Sequence, residues 1–324
     1  MKAAVCRSCG APEFVQIEDV DPPAIGPGQV RVRVDAAAVN FPDVLVVAGE
    51  YQIKVPPPFV PGSEFAGRVV DVADDVTTVR VGDRVFGSVL VGAFAEQVAV
   101  TATSVAVVPE GVDVVAAAAF GVAHRTAYHV LRSVARIRAG EELVVLGAGG
   151  GVGLAAVQLG ALLGATVTAV ASSAEKLDAA RAFGATRLVD HRAGDLRRAL
   201  KDALPDGSDV VVDPVGGDLA EPALRSLRWG GRFVTVGYAS GVIPRIPLNL
   251  VLLKGVQVLG FQFRDFAAHR ADEMRRDDDE LFALLGQGRA LPHIGATFAL
   301  DDVAAALRHV ADGHAIGKVV LRIR

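Results

Sequence analysis

Leu143-Val144-Val145-Leu146-Gly147-Ala148-Gly149-Gly150-Gly151-Val152-Gly153-Leu154 runs from an apolar stretch of strand length, through a knot of glycines, into an apolar stretch of helical length. Strand, tight turn and helix in that order are the context in which a glycine-rich turn binds a dinucleotide. The strict G-x-G-x-x-G spacing is not met, and Ala148-x-Gly150-x-x-Gly153 is the nearest match. The physical logic survives the change. Gly149, Gly150 and Gly151 let the backbone turn sharply and approach a pyrophosphate. Val152 opens a helix whose free N–H groups and positive dipole end would face the phosphates, and Gly153 lets that helix pack closely on the strand. The competing reading is a turn that only packs.

The surrounding pattern favours the ligand. Downstream, apolar runs at 167–171, 187–190, 209–213, 232–236 and 256–260 alternate with helical stretches, which with 143–146 makes six short strands. Such alternation predicts a doubly wound parallel sheet, and the continuous apolar runs fit strands covered on both faces. Upstream, Val30-Arg31-Val32-Arg33-Val34 alternates strictly, and 64–72 and 84–86 read as further strands between Pro- and Gly-rich turns. That half reads as a compact β-barrel-like domain. A helix is expected over 116–131. Residues 264–282, RDFAAHRADEMRRDDDELF, read as a solvated helix. Gly317-Lys318-Val319-Val320-Leu321 reads as a last strand returning to the first domain. The division expected is therefore 1–121 with 264–324, and 122–263.

Composition bounds the function. The chain has 324 residues, 51% hydrophobic and 22% charged, with a net charge of −4, which excludes a disordered chain and offers no basic excess for nucleic acid. Residues 143–174 carry no charge, but five glycines between Gly147 and Gly153 would break a lipid-facing helix. The N-terminus breaks its apolar run at Arg7 and turns acidic, unlike a secretory signal. A soluble cytoplasmic protein with no membrane partner is expected. Two cysteines exclude a disulfide scaffold. Cys6-x-x-Cys9, weighed as a metal or redox pair, is read as structural: Cys6 in the first strand, Cys9 in the turn after it.

The end of the second strand of the α/β half reads Val170-Ala171-Ser172-Ser173-Ala174-Glu175-Lys176. An acid there would bind the ribose 2′-hydroxyl of NAD. Ser172, Ser173 and Lys176 can instead donate to and neutralise a 2′-phosphate, with Arg192 adding charge. Glu175 is read as a first-turn helix residue facing the dipole. NADPH is the cofactor expected.

Further stretches complete a resemblance. Asn40-Phe41-Pro42-Asp43, Phe59-Val60-Pro61-Gly62-Ser63-Glu64-Phe65-Ala66-Gly67, Val81-Gly82-Asp83-Arg84-Val85, Thr126-Ala127-Tyr128, Gly149 to Gly153, Asp213-Pro214-Val215-Gly216-Gly217 and Gly317 to Leu321 resemble the zinc-independent quinone oxidoreductase group of the medium-chain dehydrogenase/reductase superfamily. The resemblance covers essentially the whole chain. It implies a GroES-like β domain, a Rossmann domain with a six-stranded parallel sheet, and a homodimer. In the zinc-dependent members the ligands would fall at Asn40, Ser63 and near Val122, none a normal zinc ligand here. The implied chemistry is hydride transfer from the nicotinamide to a quinone or another α,β-unsaturated carbonyl. An enoyl-thioester reductase and a noncatalytic NADPH-binding protein are the alternatives.

By the same resemblance Tyr51 is the candidate proton or hydrogen-bond donor. Asn40 is expected to hold substrate or nicotinamide ribose, and Thr126 to reach the nicotinamide end. His191 stands where a tyrosine often flanks the adenosine, and would make cofactor affinity pH-sensitive. Gly237, Tyr238, Phe261 and Phe263, at strand ends, are expected to line the nicotinamide side, and Lys318 to face the phosphates. The apolar strand at 256–260 ends the series and would pair with its copy.

Overall fold

A computed structural model describes residues 1–323, and they divide into two compact units, Met1–Val122 with residues 285–323 and Ala123–Leu284. The first unit opens with β1 (Lys2–Cys6) and β2 (Val15–Asp19), an antiparallel pair. It continues with β3 (Gln29–Val39), α1 (Phe41–Ala48), β4 (Glu64–Val72), β5 (Arg84–Ser88), β6 (Gln97–Thr101), β7 (Val105–Val107) and α2 (Val114–Ala118). The alternation read at 30–34 is real: Val30, Val32 and Val34 are buried while Arg31 and Arg33 are half-buried.

The second unit begins with α3 (Ala123–His129), whose last turn widens into a π-helical turn at Val130–Val134. Then come β8 (Glu142–Leu146), α4 (Gly151–Leu162), β9 (Thr166–Ala171), α5 (Ala174–Ala182), β10 (Arg187–Asp190), α6 (Leu196–Ala203), β11 (Ser208–Asp213), α7 (Ala220–Ser226), β12 (Leu227–Thr235), α8 (Leu248–Lys254), β13 (Gln257–Gly260), α9 (Phe263–His269) and α10 (Ala271–Gly286). All six strands are parallel, in the order β10-β9-β8-β11-β12-β13. The sheet is thus doubly wound, its order reversing beside β8, where such folds bind their ligands. Val144, Leu146, Val170, Val211, Leu224 and Phe233 form its core.

The chain closes with β14 (Ile294–Ala299), α11 (Val303–Ala311) and β15 (Lys318–Arg322), back in the first unit. β15 pairs antiparallel with β3, as the return predicted, so the first unit's larger sheet runs β14-β15-β3-β4-β5-β7 with β6 on β3. Its core gathers Val32, Phe65, Phe94, Leu307 and Leu321.

Two expectations are corrected. The helix expected over 116–131 is broken between α2 and α3, because the Val122 N–H leaves the helical ladder and donates to Glu64 Oε2 at 2.8 Å. Residues 264–282 are not one solvated helix. They form α9 and most of α10, and Asp277 is fully buried. Residues 264–284 stay with the second unit rather than the first, since side chains of α3 and its π-turn hold α10: Arg125 to Asp278, Tyr128 and Arg132 to Glu280, Ser133 to Asp277.

Candidate functional site

In the second unit the glycine turn sits at the C-terminal end of β8. Gly147 has φ +59°, Ala148 donates its N–H to Val170 O at 3.0 Å, and Gly150 is the N-cap of α4 with no side chain capping it. The first-turn N–H groups of α4 therefore receive no side-chain acceptor from the cap. A Cβ on Gly153 would lie 2.1 Å from Gly147 O, so only glycine lets helix and strand approach this closely. A Cβ on Gly149 would lie 2.5 Å from Lys176 Cβ. The lysine stem thus crosses directly over the turn. Its ammonium reaches within 3.5 Å of Ser172 Oγ, while Ser173 caps α5 by accepting the Lys176 N–H.

His191 and Arg192 arrive from the end of β10. The His191 N–H donates to Ala171 O at 3.1 Å, and Arg192 is exposed. Burial, then the neighbouring Arg192 charge, holds the Lys176 ammonium below its ordinary pKa. Burial and then Arg192, with a further push from Lys176, lowers the His191 pKa, against a weaker pull from Asp190. Three basic side chains are therefore close enough to repel one another. Glu175 is fully exposed and hydrogen-bonds to its own backbone and Ser173, as a first-turn acid does. Ser172, Ser173, Lys176, His191 and Arg192 thus come together beside Gly149, Gly150, Gly151 and Val152. A dinucleotide fits this cradle.

Of the remaining expected residues of this unit, Gly237, Tyr238, Phe261 and Phe263 follow the C-terminal ends of β12 and β13. Gly237 and Tyr238 follow β12, the Tyr238 ring resting on Gly216, where a Cβ would come within 2.8 Å of it. Thr126 is buried within α3. Phe261 and Phe263 gather with Phe266 around His129, at ring separations of 6.2, 5.7 and 5.1 Å, and the Arg125 guanidinium lies 4.8 Å over the Phe263 ring.

His129 itself escaped the sequence reading. It is wholly buried, its Nδ1 3.1 Å from Asp277 Oδ2 and its Nε2 3.4 Å from Asp278 Oδ1. Burial opposes its charged form, but the two carboxylates outweigh burial and the pKa is raised. A signal was available: Arg125, His129 and Arg132 recur at i, i+4 and i+7, one face of a helix, and the acidic run Asp277-Asp278-Asp279-Glu280 supplies their partners.

In the first unit, Asn40 is the N-cap of α1 and shares a capping box with Asp43, whose Oδ2 accepts the Asn40 N–H at 2.7 Å. The Asn40 amide is fully engaged. Nδ2 donates to Glu64 Oε1 at 2.9 Å and Ser63 Oγ at 3.2 Å, and Oδ1 accepts from the Lys318 ammonium. Lys318 Nζ also lies 2.5 Å from Glu64 Oε1. Lys318 does not face phosphates as expected: it is 3% exposed and closes a buried ion pair. Nor does Asn40 hold its donors out to a ligand. Glu64 links two of the three positions where the resemblance places zinc ligands, accepting from Asn40 Nδ2 and the Val122 N–H, and Ser63 joins them through Asn40 Nδ2. Burial, partly offset by Ser63 and the Asn40 N–H, pushes the Asp43 carboxyl up to about 7. Among the described residues no group of three or more His, Cys, Asp or Glu is arranged to hold a metal ion, and no helix is long and apolar enough to cross a membrane.

Tyr51 follows the end of α1. Gly49 caps the helix in the left-handed conformation, the Tyr51 N–H returns to Leu45 O at 3.1 Å, and the ring is half-buried against the core.

Comparison with known proteins defines the class. Residues 26–110 match the alcohol dehydrogenase GroES-like domain, and residues 151–277 match the zinc-binding dehydrogenase family. The chain is therefore a medium-chain dehydrogenase/reductase, with a GroES-like domain and a Rossmann-type domain. It is 37% identical to bovine quinone oxidoreductase-like protein 2, over 100% of this chain and 93% of that protein. The solved structure of Escherichia coli quinone oxidoreductase complexed with NADPH superposes with a TM-score of 0.92 at 27% identity, over 99% of this chain and 100% of that one. A segment of polyketide synthase GfsB from Streptomyces halstedii is 39% identical over 91% of this chain and 5% of the synthase. Within the superfamily the chain belongs to the quinone oxidoreductase group.

Proposed function

We propose that this chain is an NADPH-dependent oxidoreductase that reduces quinones or other α,β-unsaturated carbonyl compounds without a catalytic metal. The observation that carries the reading is the basic cradle around the glycine turn, where Lys176, Arg192 and His191 crowd one another beside Ser172 and Ser173. Mutually repelling cations at a helix-terminus phosphate site are stabilised by a dianion and would gain little from a bare 2′-hydroxyl. The quinone oxidoreductase relatives and the NADPH in the E. coli neighbour support the same assignment.

Bound NADPH would supply the hydride. This chain's residues hold, orient and protonate. Gly149, Gly150, Gly151 and Val152 bind the pyrophosphate, and Ser172, Ser173, Lys176, His191 and Arg192 the 2′-phosphate. Thr126, Gly237, Tyr238, Phe261 and Phe263 belong to the nicotinamide side. Tyr51 donates to the acceptor oxygen or protonates the reduced carbon. Asn40 positions rather than reacts: it anchors the start of α1, and the end of α1 sets Tyr51. At the zinc-ligand positions an amide, a hydroxyl and a backbone N–H meet the Glu64 and Asp43 carboxylates and an ammonium, a donor set built for hydrogen bonds rather than for Zn²⁺. The location proposed is cytoplasmic, on composition alone.

The polyketide synthase segment favours a second reading, reduction of an enoyl thioester. The test follows optical oxidation of NADPH and of NADH with a quinone, an enone and an enoyl thioester in parallel. Quinone or enone turnover with NADPH strongly preferred is expected, and thioester turnover alone selects the second reading. Tight NADPH binding with no turnover on any acceptor would sink both and leave a binding protein.

The same proposal includes a homodimer. β13 ends the sheet with Val258 exposed, and Trp229, Leu248, Leu252, Leu253 and Ile243 are each at least 70% exposed in the same unit. Apolar side chains this open call for a covering surface, and the free edge of β13 for a partner strand. Sedimentation should give twice the chain mass, and a monomer at all concentrations would refute the dimer.

A further inference from the structure

Cys6-x-x-Cys9 has no part in the hydride chemistry, yet the fold places it beneath the segment that carries Tyr51. Cys6 ends β1 and exchanges both backbone hydrogen bonds with Phe59, at 2.8 and 3.2 Å. The chain then bends through residues 7–10, and the Gly10 N–H donates to Val47 O at 2.9 Å. Between these ties the Cys9 side chain lies against Gly49: a Cβ there would sit 3.0 Å from Cys9 Cβ and 3.2 Å from its sulfur. The loop running from Gly49 to Phe59, with Tyr51 near its start, is thus pinned at both ends to the cysteine turn.

The two thiols differ in access. Cys9 is exposed, whereas Cys6 is buried and points its thiol into the same turn, donating to Ser8 O at 3.3 Å. Burial, and then the nearby Cys9, raises the Cys6 pKa, so Cys6 stays a thiol while Cys9 meets solvent.

We propose that Cys6 and Cys9 form a dithiol modification site, oxidised by hydroperoxides to an intrachain disulfide that releases Cys9 from Gly49 and loosens the Tyr51 loop. The Cys9 thiolate attacks a peroxide oxygen; an S–O bond forms, the O–O bond breaks and hydroxide leaves. The Cys6 sulfur then attacks the sulfenic sulfur of Cys9; the S–S bond forms, the S–OH bond breaks, and the Cys6 proton leaves with it as water. Two thiols lose two electrons, and one hydrogen peroxide becomes two waters.

The full-length protein is treated with hydrogen peroxide, digested without reduction and read by mass. The result expected is loss of both free thiols, a single peptide carrying Cys6 and Cys9 lighter by about 2 Da, and reversal by dithiothreitol. In the same samples, amide exchange of residues 50–58 should rise several-fold on oxidation. C9S should show neither the disulfide nor the exchange change. Cys9 carried on to sulfinic or sulfonic acid with Cys6 still free, a bridge between two chains, or a disulfide with unchanged exchange would each overturn the proposal. A fall in acceptor turnover on oxidation rests additionally on the role proposed for Tyr51. Loosened exchange with unaltered turnover would reject that role and leave the modification site standing.

Discussion

The two polar clusters of this chain are opposites. Around Asn40 every strong group meets its complement inside the first unit: the ammonium of Lys318 lies on Glu64 and Asn40, and the other Glu64 oxygen takes the Val122 N–H. Around Lys176 basic side chains predominate, with Asp190 opposing them at His191, and they are partly open to solvent. A cluster closed on itself holds the backbone in place and has little left to offer a ligand. A cluster of crowded cations raises its own free energy, and an anion lowers it. Asn40 and Lys318 are expected from the sequence to face ligand; their burial is what separates them from the half-buried Lys176 and His191.

The largest effect should come from opening the closed cluster. K318M leaves the Glu64 carboxylate buried without its cation, which costs about 3–5 kcal/mol. Urea unfolding should show the first unit destabilised by that amount. The double variant E64Q/K318M removes both charges and should recover much of the loss. Equal loss in both would mean that the ion pair is not what holds the cluster.

A smaller effect in the same cluster depends on pH. Asp43 ionises in the unfolded chain near its ordinary 3.8 and in the folded one at about 7. Between those values the folded state binds the extra proton. Stability from this group is full below the lower value and is lost as pH rises through the higher one, with a slope of up to about 1.4 kcal/mol per pH unit. D43N keeps an acceptor for the Asn40 N–H and cannot titrate. Its stability relative to the parent should therefore improve steadily from acid to neutral pH. A constant difference across that window would show that Asp43 is ionised in the fold throughout.

The open cluster predicts a change in selectivity rather than stability. K176A removes one cation from the proposed 2′-phosphate site and should raise KM for NADPH by about tenfold, the worth of one charge-assisted hydrogen bond, with KM for NADH nearly unchanged. Equal weakening of both cofactors would place Lys176 on the pyrophosphate, beneath which its stem already crosses Gly149.

How much of this was legible follows from the same contrast. The six parallel strands and the returning β15 were readable because each is a local apolar pattern with a glycine or proline close to one end. Ser172, Ser173 and Lys176 were readable because they stand at a fixed offset from the glycine turn. The fate of Lys318 was not, since Glu64 lies 254 positions away along the chain and no local pattern reports such a partner. His129 was hidden likewise, its carboxylates being 148 and 149 residues on; only the joint spacing of Arg125, His129 and Arg132 against the acidic run in α10 hinted at the pair. The helix break at Val122 had the same remote cause, a backbone N–H claimed by Glu64.

The smallest effect expected is at His191, and it tests whether the open cluster responds to its ligand as a unit. Burial and its basic neighbours hold the imidazole below its ordinary pKa, so it is neutral in the free protein at pH 7. A 2′-phosphate set among Lys176, Arg192 and His191 would screen those neighbours and add a partner, raising the pKa and drawing a proton onto the ring as the cofactor binds. NADPH affinity should therefore rise a few-fold as pH falls from neutral toward 5.5, beyond what the phosphate's own titration gives. H191N should remove only that excess. NADH, which has no 2′-phosphate, serves as the control and should show no such slope. The same pH dependence for both cofactors would remove His191 from the phosphate site and leave Lys176 and Arg192 to bind it alone.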